Sequence, residues 1–174
     1  MTTGSPLSPD LAADVAAVQR MDVVRTILAD VCRITGMGFA AVARVTDGRW
    51  IACQVQDDIG FGLDAGEELE VRTTICDEIR DSRLRVYIDH VRDEPAWRTH
   101  PTPIMYGFQS YISVPIVRAD GSFFGTLCAI DPEPRSVSLK AVVASIEEFA
   151  ARIGRELDAM LGSRSSADVS APAG

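Results

Sequence analysis

The sequence has no surplus of basic residues: 17 Lys and Arg stand against 25 Asp and Glu, a net charge of -8, and no basic run interrupts that background. Nucleic acid or an anionic membrane would meet a repelling field, so neither is expected as a partner. There is no apolar run near the ~20 residues that a spanning helix needs. The opening Met-Thr-Thr-Gly-Ser-Pro lacks the charged start and apolar core of a secretion leader, and a cytoplasmic setting is the expectation. Histidine is scarce, with only His90 and His100. Cys32, Cys53, Cys76 and Cys128 form no Cys-x-x-Cys and have no histidine pair at ligand spacing, so no metal site is expected. Outside an oxidising compartment they are read as free thiols among apolar neighbours. No internal repeat of the solenoid kind is present.

What remains is an ordinary core-forming composition, 47% hydrophobic and 24% charged over 174 residues, enough for one domain with a substantial interior. The pattern predicts a disordered N-terminus over 1–10, a single domain over 11–162 and a disordered tail over 163–174. Leu11, Val15, Val18, Met21, Val24, Leu28 and Val31 recur at three- and four-residue steps, predicting one long amphipathic helix that ends at Gly36 and Gly38. Leu139, Val142, Val143, Ile146, Phe149, Ile153, Leu157 and Met160 predict a second. Between them, strand-like runs at 39–45 and 50–55 flank an Asp-Gly turn, which predicts a hairpin. A Gly- and Asp-rich loop spans 57–66. Thr74 with Asp77 three residues on predicts a capped helix over 75–83, and 85–89 a short strand. The stretch from His90 to Gln109 holds three prolines and several aromatics without periodicity, and is read as a long irregular segment.

A second hairpin follows, with strands at 111–117 and 122–130 around Ala119-Asp120-Gly121. Pro115 lacks an amide donor and implies an edge or bulge, and Gly125 permits a close approach to its strand. With Ser110, Val114, Pro115, Ile116, Gly125, Leu127 and Asp131-Pro132 in place, this hairpin resembles the closing hairpin of GAF domains. The order of elements from first helix to last agrees. The resemblance implies an α/β fold of the α+β type, with a central antiparallel sheet of about five to six strands. Long N- and C-terminal helices would cover one face, and a loop-covered cavity would lie on the other.

It also implies where chemistry sits. The short helix from Cys76, the segment from His90 to Gln109, and the strands around Ser113 and Thr126 to Cys128 would enclose the cavity. The expected ligand-binding residues are Cys76, His90, Trp97, His100, Tyr106, Phe108, Tyr111, Ser113, Thr126 and Cys128. The aromatics offer flat walls with polar tips. Either histidine can hydrogen-bond a ligand or brace its loop. Cys76 at a helix N-terminus is favoured as thiolate, against the nearby charges of Asp77 and Glu78. No acid, base and nucleophile converge, so no catalytic residue is expected.

Two enzymatic or photochemical branches of the family are disfavoured by residues. Free methionine sulfoxide reductases carry catalytic cysteines just before the Val-Pro strand, and 106–113 here has none. Bilin photoreceptors use a Cys-His pair, and no cysteine here precedes a histidine. The Asn-Lys-x-x-Phe-Asp motif of cyclic-nucleotide binders is also missing. The resemblance therefore implies a small-molecule-sensing input module of the kind found in sensor histidine kinases, homodimeric through its terminal helices, with its ligand unidentified. The alternatives are a thiol-dependent redox enzyme using Cys76 and a ligand-free dimerisation module.

Overall fold

A computed structural model describes residues 5–169. In chain order the helices are α1 (Pro9–Gln19), α2 (Asp22–Thr35), α3 (Ile75–Ser82), α4 (Pro101–Tyr106) and α5 (Val143–Val169). The strands are β1 (Phe39–Val45), β2 (Trp50–Asp57), β3 (Glu68–Leu69), β4 (Val86–Ile88), β5 (Ser110–Val117) and β6 (Phe123–Asp131). All pairings are antiparallel, in the order β3-β2-β1-β6-β5-β4. This is the α+β fold expected, with the chain-terminal helices on one face.

The two faces follow from the two-residue period of a strand. Ala40 and Val42 of β1, Ile112, Val114 and Ile116 of β5, and Leu127 and Ala129 of β6 point to the helices. There they meet Val24, Ile27, Leu28 and Val31 of α2 and Ile146, Ala150, Ile153 and Leu157 of α5. Phe39, Ala41 and Ala43 of β1, Tyr111 of β5, and Cys128 and Ile130 of β6 point the other way, into a second core under α3 and the loops. The apolar stripes of the terminal helices are thus buried on their own sheet.

Pro115 and Gly125 meet the expectations placed on them. The short β4 pairs with β5 only from Tyr111 to Ser113, so Pro115 lies on an open stretch of edge. A Cβ at Gly125 would run into the Ala43 carbonyl of β1, where β1 slips its register with β2; glycine lets the two central strands close.

Four expectations need correction. The first long helix is two helices, broken at Arg20 and Met21, with Met21 extended at φ −86°, ψ 102°. The break is held by Gln54 of β2, whose Nε2 donates to the Val18 carbonyl at 2.6 Å and the Met21 carbonyl at 3.0 Å. That contact spans more than thirty residues and has no local signature. Second, Thr74 is the N-cap of α3 but makes no capping bond; its hydroxyl donates back to the Val71 carbonyl at 2.6 Å. Third, the segment 90–109 holds a 3₁₀ turn at Val91–Asp93 and the six-residue α4. Proline stands at N1 of α4, and the backbone there is closed by Gly107 at φ 74°. Fourth, the first described helix starts inside the stretch read as disordered: Ser8 caps it, accepting from the Leu11 amide at 3.3 Å, with Pro9 at N1. Of the remaining disorder expectations, 1–4 and 170–174 lie outside the described residues, and α5 is helical through Val169.

Candidate functional site

The site is built by the sheet face opposite the terminal helices and by a roof of loops. Asp57, at the end of β2, starts the roof. Its carboxylate accepts from the amides of Gly62 (2.8 Å), Phe61 (2.9 Å) and Ile59 (3.2 Å). Burial alone would raise the Asp57 carboxyl, but these donors outweigh it and leave it below the usual range. The bent loop lays Phe61 on Phe39, ring centroids 4.8 Å apart, with Tyr106 of α4 at 6.3 Å.

Hydrogen bonds lock α4 to the turn before α3. Thr102 Oγ1 donates to the Thr73 carbonyl at 2.7 Å. The Thr73 hydroxyl uses its one proton on the Glu70 carbonyl at 2.6 Å, so the Tyr106 hydroxyl is the donor in its 2.5 Å contact with Thr73 Oγ1. Phe108 stacks on Tyr111 at 5.2 Å.

Beneath this roof remains a hollow of about 50 Å³. A single water needs ~10–15 Å³ by the same measure, so there is room for a few water-sized molecules. Its walls include Phe39, Trp50, Phe61, Tyr106, Phe108 and Tyr111, and no charged residue lines it. A haem, bilin or nucleotide does not fit while the roof keeps this conformation. A wider groove of about 430 Å³ lies outside, beside Arg49, Glu68 and Arg72. It is open to solvent, and Arg49 is already held by Glu68 at 2.6 Å.

Beneath the hollow lie buried thiol and hydroxyl groups. Cys76, the second residue of α3, directs its sulfur at the sheet, 3.1 Å from Thr126 Oγ1, 3.6 Å from the Tyr111 hydroxyl and 3.8 Å from Ser113 Oγ. Thr126 and Cys128 share a face of β6, and Ser113 is paired across to Cys128. Those three contacts therefore centre the Cys76 sulfur beside Cys128. Cys128 in turn lies 3.7 Å from the Ala41 carbonyl, an alternative acceptor for its single thiol proton.

The Cys76 thiol is pulled below its ordinary value. The Cys128 thiol contributes most; burial opposes it, and Thr126, Trp50 and Tyr111 add to the lowering. Cys128 is pushed up by the same contact and by burial, and Tyr111 by burial and the two sulfurs. Of the pair, Cys76 is the one placed to carry negative charge. Trp50 is 3% exposed and lines the hollow, yet its indole N–H has no acceptor in hydrogen-bonding geometry.

Five of the ten expected residues line the hollow: Cys76, Tyr106, Phe108, Tyr111 and Cys128. Ser113 and Thr126 lie directly beneath it against Cys76. The other three sit apart. His90 Nδ1 is 2.8 Å from Asp93 Oδ2, bracing its own turn. His100 caps α4: its Nδ1 accepts from the Thr102 amide at 3.2 Å, which leaves the proton on Nε2 to donate to Glu78 at 3.1 Å. Trp97 packs on His100, ring centroids 5.0 Å apart.

Among the wall residues beyond those ten, Phe39 and Trp50 had a signal. The alternation of the first hairpin assigns each strand two faces, and both residues fall on the face opposite the helices. Phe61 and Leu63 reach the hollow through loop geometry, and Thr102 through the placement of α4.

Among the described residues no helix is long and apolar enough to cross a membrane, and no group of three or more His, Cys, Asp or Glu could hold a metal ion.

Against known proteins, the family model for the GAF domain matches residues 19–157. No curated protein matches the sequence. Among solved structures, the blue-light-absorbing form of the Thermosynechococcus elongatus PixJ GAF domain is similar at TM-score 0.67 and 14% identity, covering 95% of this chain and 97% of that one. The free methionine-R-sulfoxide reductase of Neisseria meningitidis, solved with its substrate, is similar at TM-score 0.61 and 14% identity, covering 94% and 98%. The GAF domain of a two-component sensor histidine kinase from Bacillus halodurans is similar at TM-score 0.59 and 12% identity, covering 80% and 93%. At these identities the likeness is one of fold.

Proposed function

The chain belongs to the GAF domain family, and on that footing we propose that it is a signalling input module whose stimulus enters the roofed hollow and whose response leaves through α5. The observation that carries this reading is the sheet itself. Tyr111 and Ser113 of β5 face the Cys76 sulfur, while Ile112, Val114 and Ile116 of the same strand pack in the core shared with α5. One layer of backbone separates stimulus from output.

The input is a small molecule. A volume of about 50 Å³ is far below the ~300–1,000 Å³ of pockets for drug-sized ligands, and the unpartnered Trp50 N–H asks for an acceptor. The output is α5. Among its described side chains Leu157 is the last that is fully buried, and its helix continues to Val169, offering a segment for a second copy of this chain or for a following domain such as a histidine kinase. The domain itself is not catalytic in this reading.

A hollow-filling variant tests it. Leu69→Phe adds volume at the wall and mimics occupancy. Hydrogen exchange at the α5 amides is expected to change relative to wild type with the sheet amides still protected; unaltered exchange along α5 would refute the coupling. Native mass spectrometry of the purified chain is expected to retain a small added mass. A clean apo dimer would favour a ligand-free pairing module.

A further inference from the structure

Two thiols line one hollow that admits only very small molecules, and the hydroxyls that touch Cys76 stand on the strands that carry and pair with Cys128. Cys76 and Cys128 both line the hollow, and Cys76 is ringed by Thr126, Tyr111 and Ser113 hydroxyls at 3.1, 3.6 and 3.8 Å. These donors, with the first turn of α3, suit a sulfur that carries charge. The second observation is the Trp50 indole N–H, buried in a residue of the same wall with no acceptor in hydrogen-bonding geometry. A donor left bare in an apolar wall is a cost unless something polar visits it.

We propose that Cys76 and Cys128 are a peroxide-reactive pair, in which a small hydroperoxide entering the hollow oxidises Cys76 and Cys128 closes the product to a disulfide. The proposal rests on the sensory reading above and gives its stimulus a chemical class. Hydrogen peroxide has two heavy atoms and fits where a few waters would; bulky organic hydroperoxides do not. In the first step the Cys76 thiolate attacks one peroxide oxygen. An S–O bond forms, the O–O bond breaks, and the departing hydroxide takes up the proton Cys76 released on ionising, leaving sulfenic acid and water. Trp50 N–H, and Thr126 O–H once the charge has left the sulfur, are donors available to the departing oxygen. In the second step the Cys128 sulfur attacks the Cys76 sulfur. The S–S bond forms, the S–O bond breaks, and hydroxide leaves with the Cys128 proton as water. Two thiols and one peroxide become one disulfide and two waters.

The other two cysteines serve as internal controls. Burial, then the charges of Asp58 and Asp131, push the Cys32 thiol up to about 11. Burial holds Cys53 at about 12. Each unit of depression raises the thiolate fraction ~tenfold while nucleophilicity falls ~threefold, a net gain of ~threefold per unit. Cys76 should therefore react well over ~tenfold faster than Cys32.

The experiment treats the folded chain with hydrogen peroxide, removes the peroxide, unfolds the chain in urea with an alkylating agent present to cap the remaining thiols, and maps peptides. The expected result is a Cys76–Cys128 linked peptide appearing first, with Cys32 and Cys53 still alkylated. In Cys128→Ser, dimedone present as the peroxide-treated chain is unfolded in urea should trap sulfenic acid on Cys76. The wild-type map stands even if that variant folds poorly. The proposal is overturned if Cys32 or Cys53 oxidises as fast as Cys76, or if the pair stays reduced in the folded chain while the urea-unfolded chain oxidises. Disulfide formation with unchanged exchange in α5 would keep the chemistry and sink the sensory reading. A reduced pair with α5 still responding to Leu69→Phe would do the reverse.

Discussion

Replacing Thr126 by Val removes one hydroxyl and little else. That hydroxyl is fully buried and stands 3.1 Å from the Cys76 sulfur, close enough to donate to a thiolate. Hydrogen bonds to charged groups contribute ~1.5–3 kcal/mol, which at ~1.4 kcal/mol per unit moves the Cys76 pKa up by about one to two units. The sign of the stability effect follows. The folded-state pKa of Cys76 is depressed by Cys128 against the opposing effect of burial, with help from Thr126, so the thiolate stabilises the fold fully above the unfolded value of ~8.5. This stabilisation is lost as pH falls through the folded value. Thr126→Val should therefore cost ~1.5–3 kcal/mol at high pH and about 1 kcal/mol or less where Cys76 is protonated in both states. Urea unfolding at the two pH values measures the difference, and ultraviolet thiolate absorbance follows the pKa directly. Tyr111→Phe, which removes a donor at the longer 3.6 Å, should act in the same direction and less. An equal cost at both pH values, with an unmoved thiolate titration, would refute the assignment of Cys76 as the charged sulfur.

Gln54→Leu leaves the Val18 and Met21 carbonyls at the helix break without their donor; a loss of about 1–3 kcal/mol is expected in thermal or urea unfolding, and an unchanged midpoint would mean that water serves the break as well. Asp57→Asn should speed hydrogen exchange at Phe61 and Gly62 and loosen the roof. In wild type the same loosening should appear only as pH falls below ~3.9 and through the depressed folded value, since the carboxylate accepts those amides. Gly125→Ala drives a methyl into the Ala43 carbonyl between the two central strands. The expected cost is about 3 kcal/mol or more, read as a collapse in folded yield, and a wild-type melting temperature would contradict the close approach of β1 and β6.

Much of the architecture was legible because it rests on periods. The stripe of Val24, Leu28 and Val31, the Asp-Gly turn, and the hairpin with Pro115 and Gly125 each carry a local cause, and each stands where its pattern placed it. The failures turn on a competing hydrogen bond, distant in sequence at Gln54 and three residues away at Thr74. Gln54 breaks the first helix from β2, and Val71 takes the hydroxyl that Thr74 would have given to its own helix. The start of α1 was missed for a different reason. Ser8-Pro9-Asp10 has the composition of a frayed end, but a capping Ser, a Pro at N1 and an acid in the first turn are also how a helix begins. In the site, residues on strands and α3 converge as their face assignment requires. His90, Trp97 and His100 were expected at the cavity because the resemblance implies that their segment encloses it, and the folding of 90–109 turns them to bracing contacts.

The route from hollow to output depends on how little the sheet can yield locally. At the end of β5, Gly154 of α5 approaches so closely that a Cβ there would lie 2.6 Å from the Val117 carbonyl. Arg118 and the Ala119 amide then grip Asp158 at 2.9 and 2.8 Å. Helix and strand are thus fastened at the open end of β5, just beyond Pro115, where β4 no longer pairs. A displacement of Tyr111 or Ser113 caused by a change at Cys76 would be resisted near β4, where β5 is paired on both sides. It would be taken up beyond Ser113, where only β6 restrains the strand and α5 is attached. Close-packed interiors transmit such shifts rather than absorb them. Arg118→Ala should therefore weaken the response of α5 to Leu69→Phe while leaving the hollow intact. If hydrogen exchange instead shows the full response in the double variant, the coupling passes through the packed face of β5 and not through this clasp.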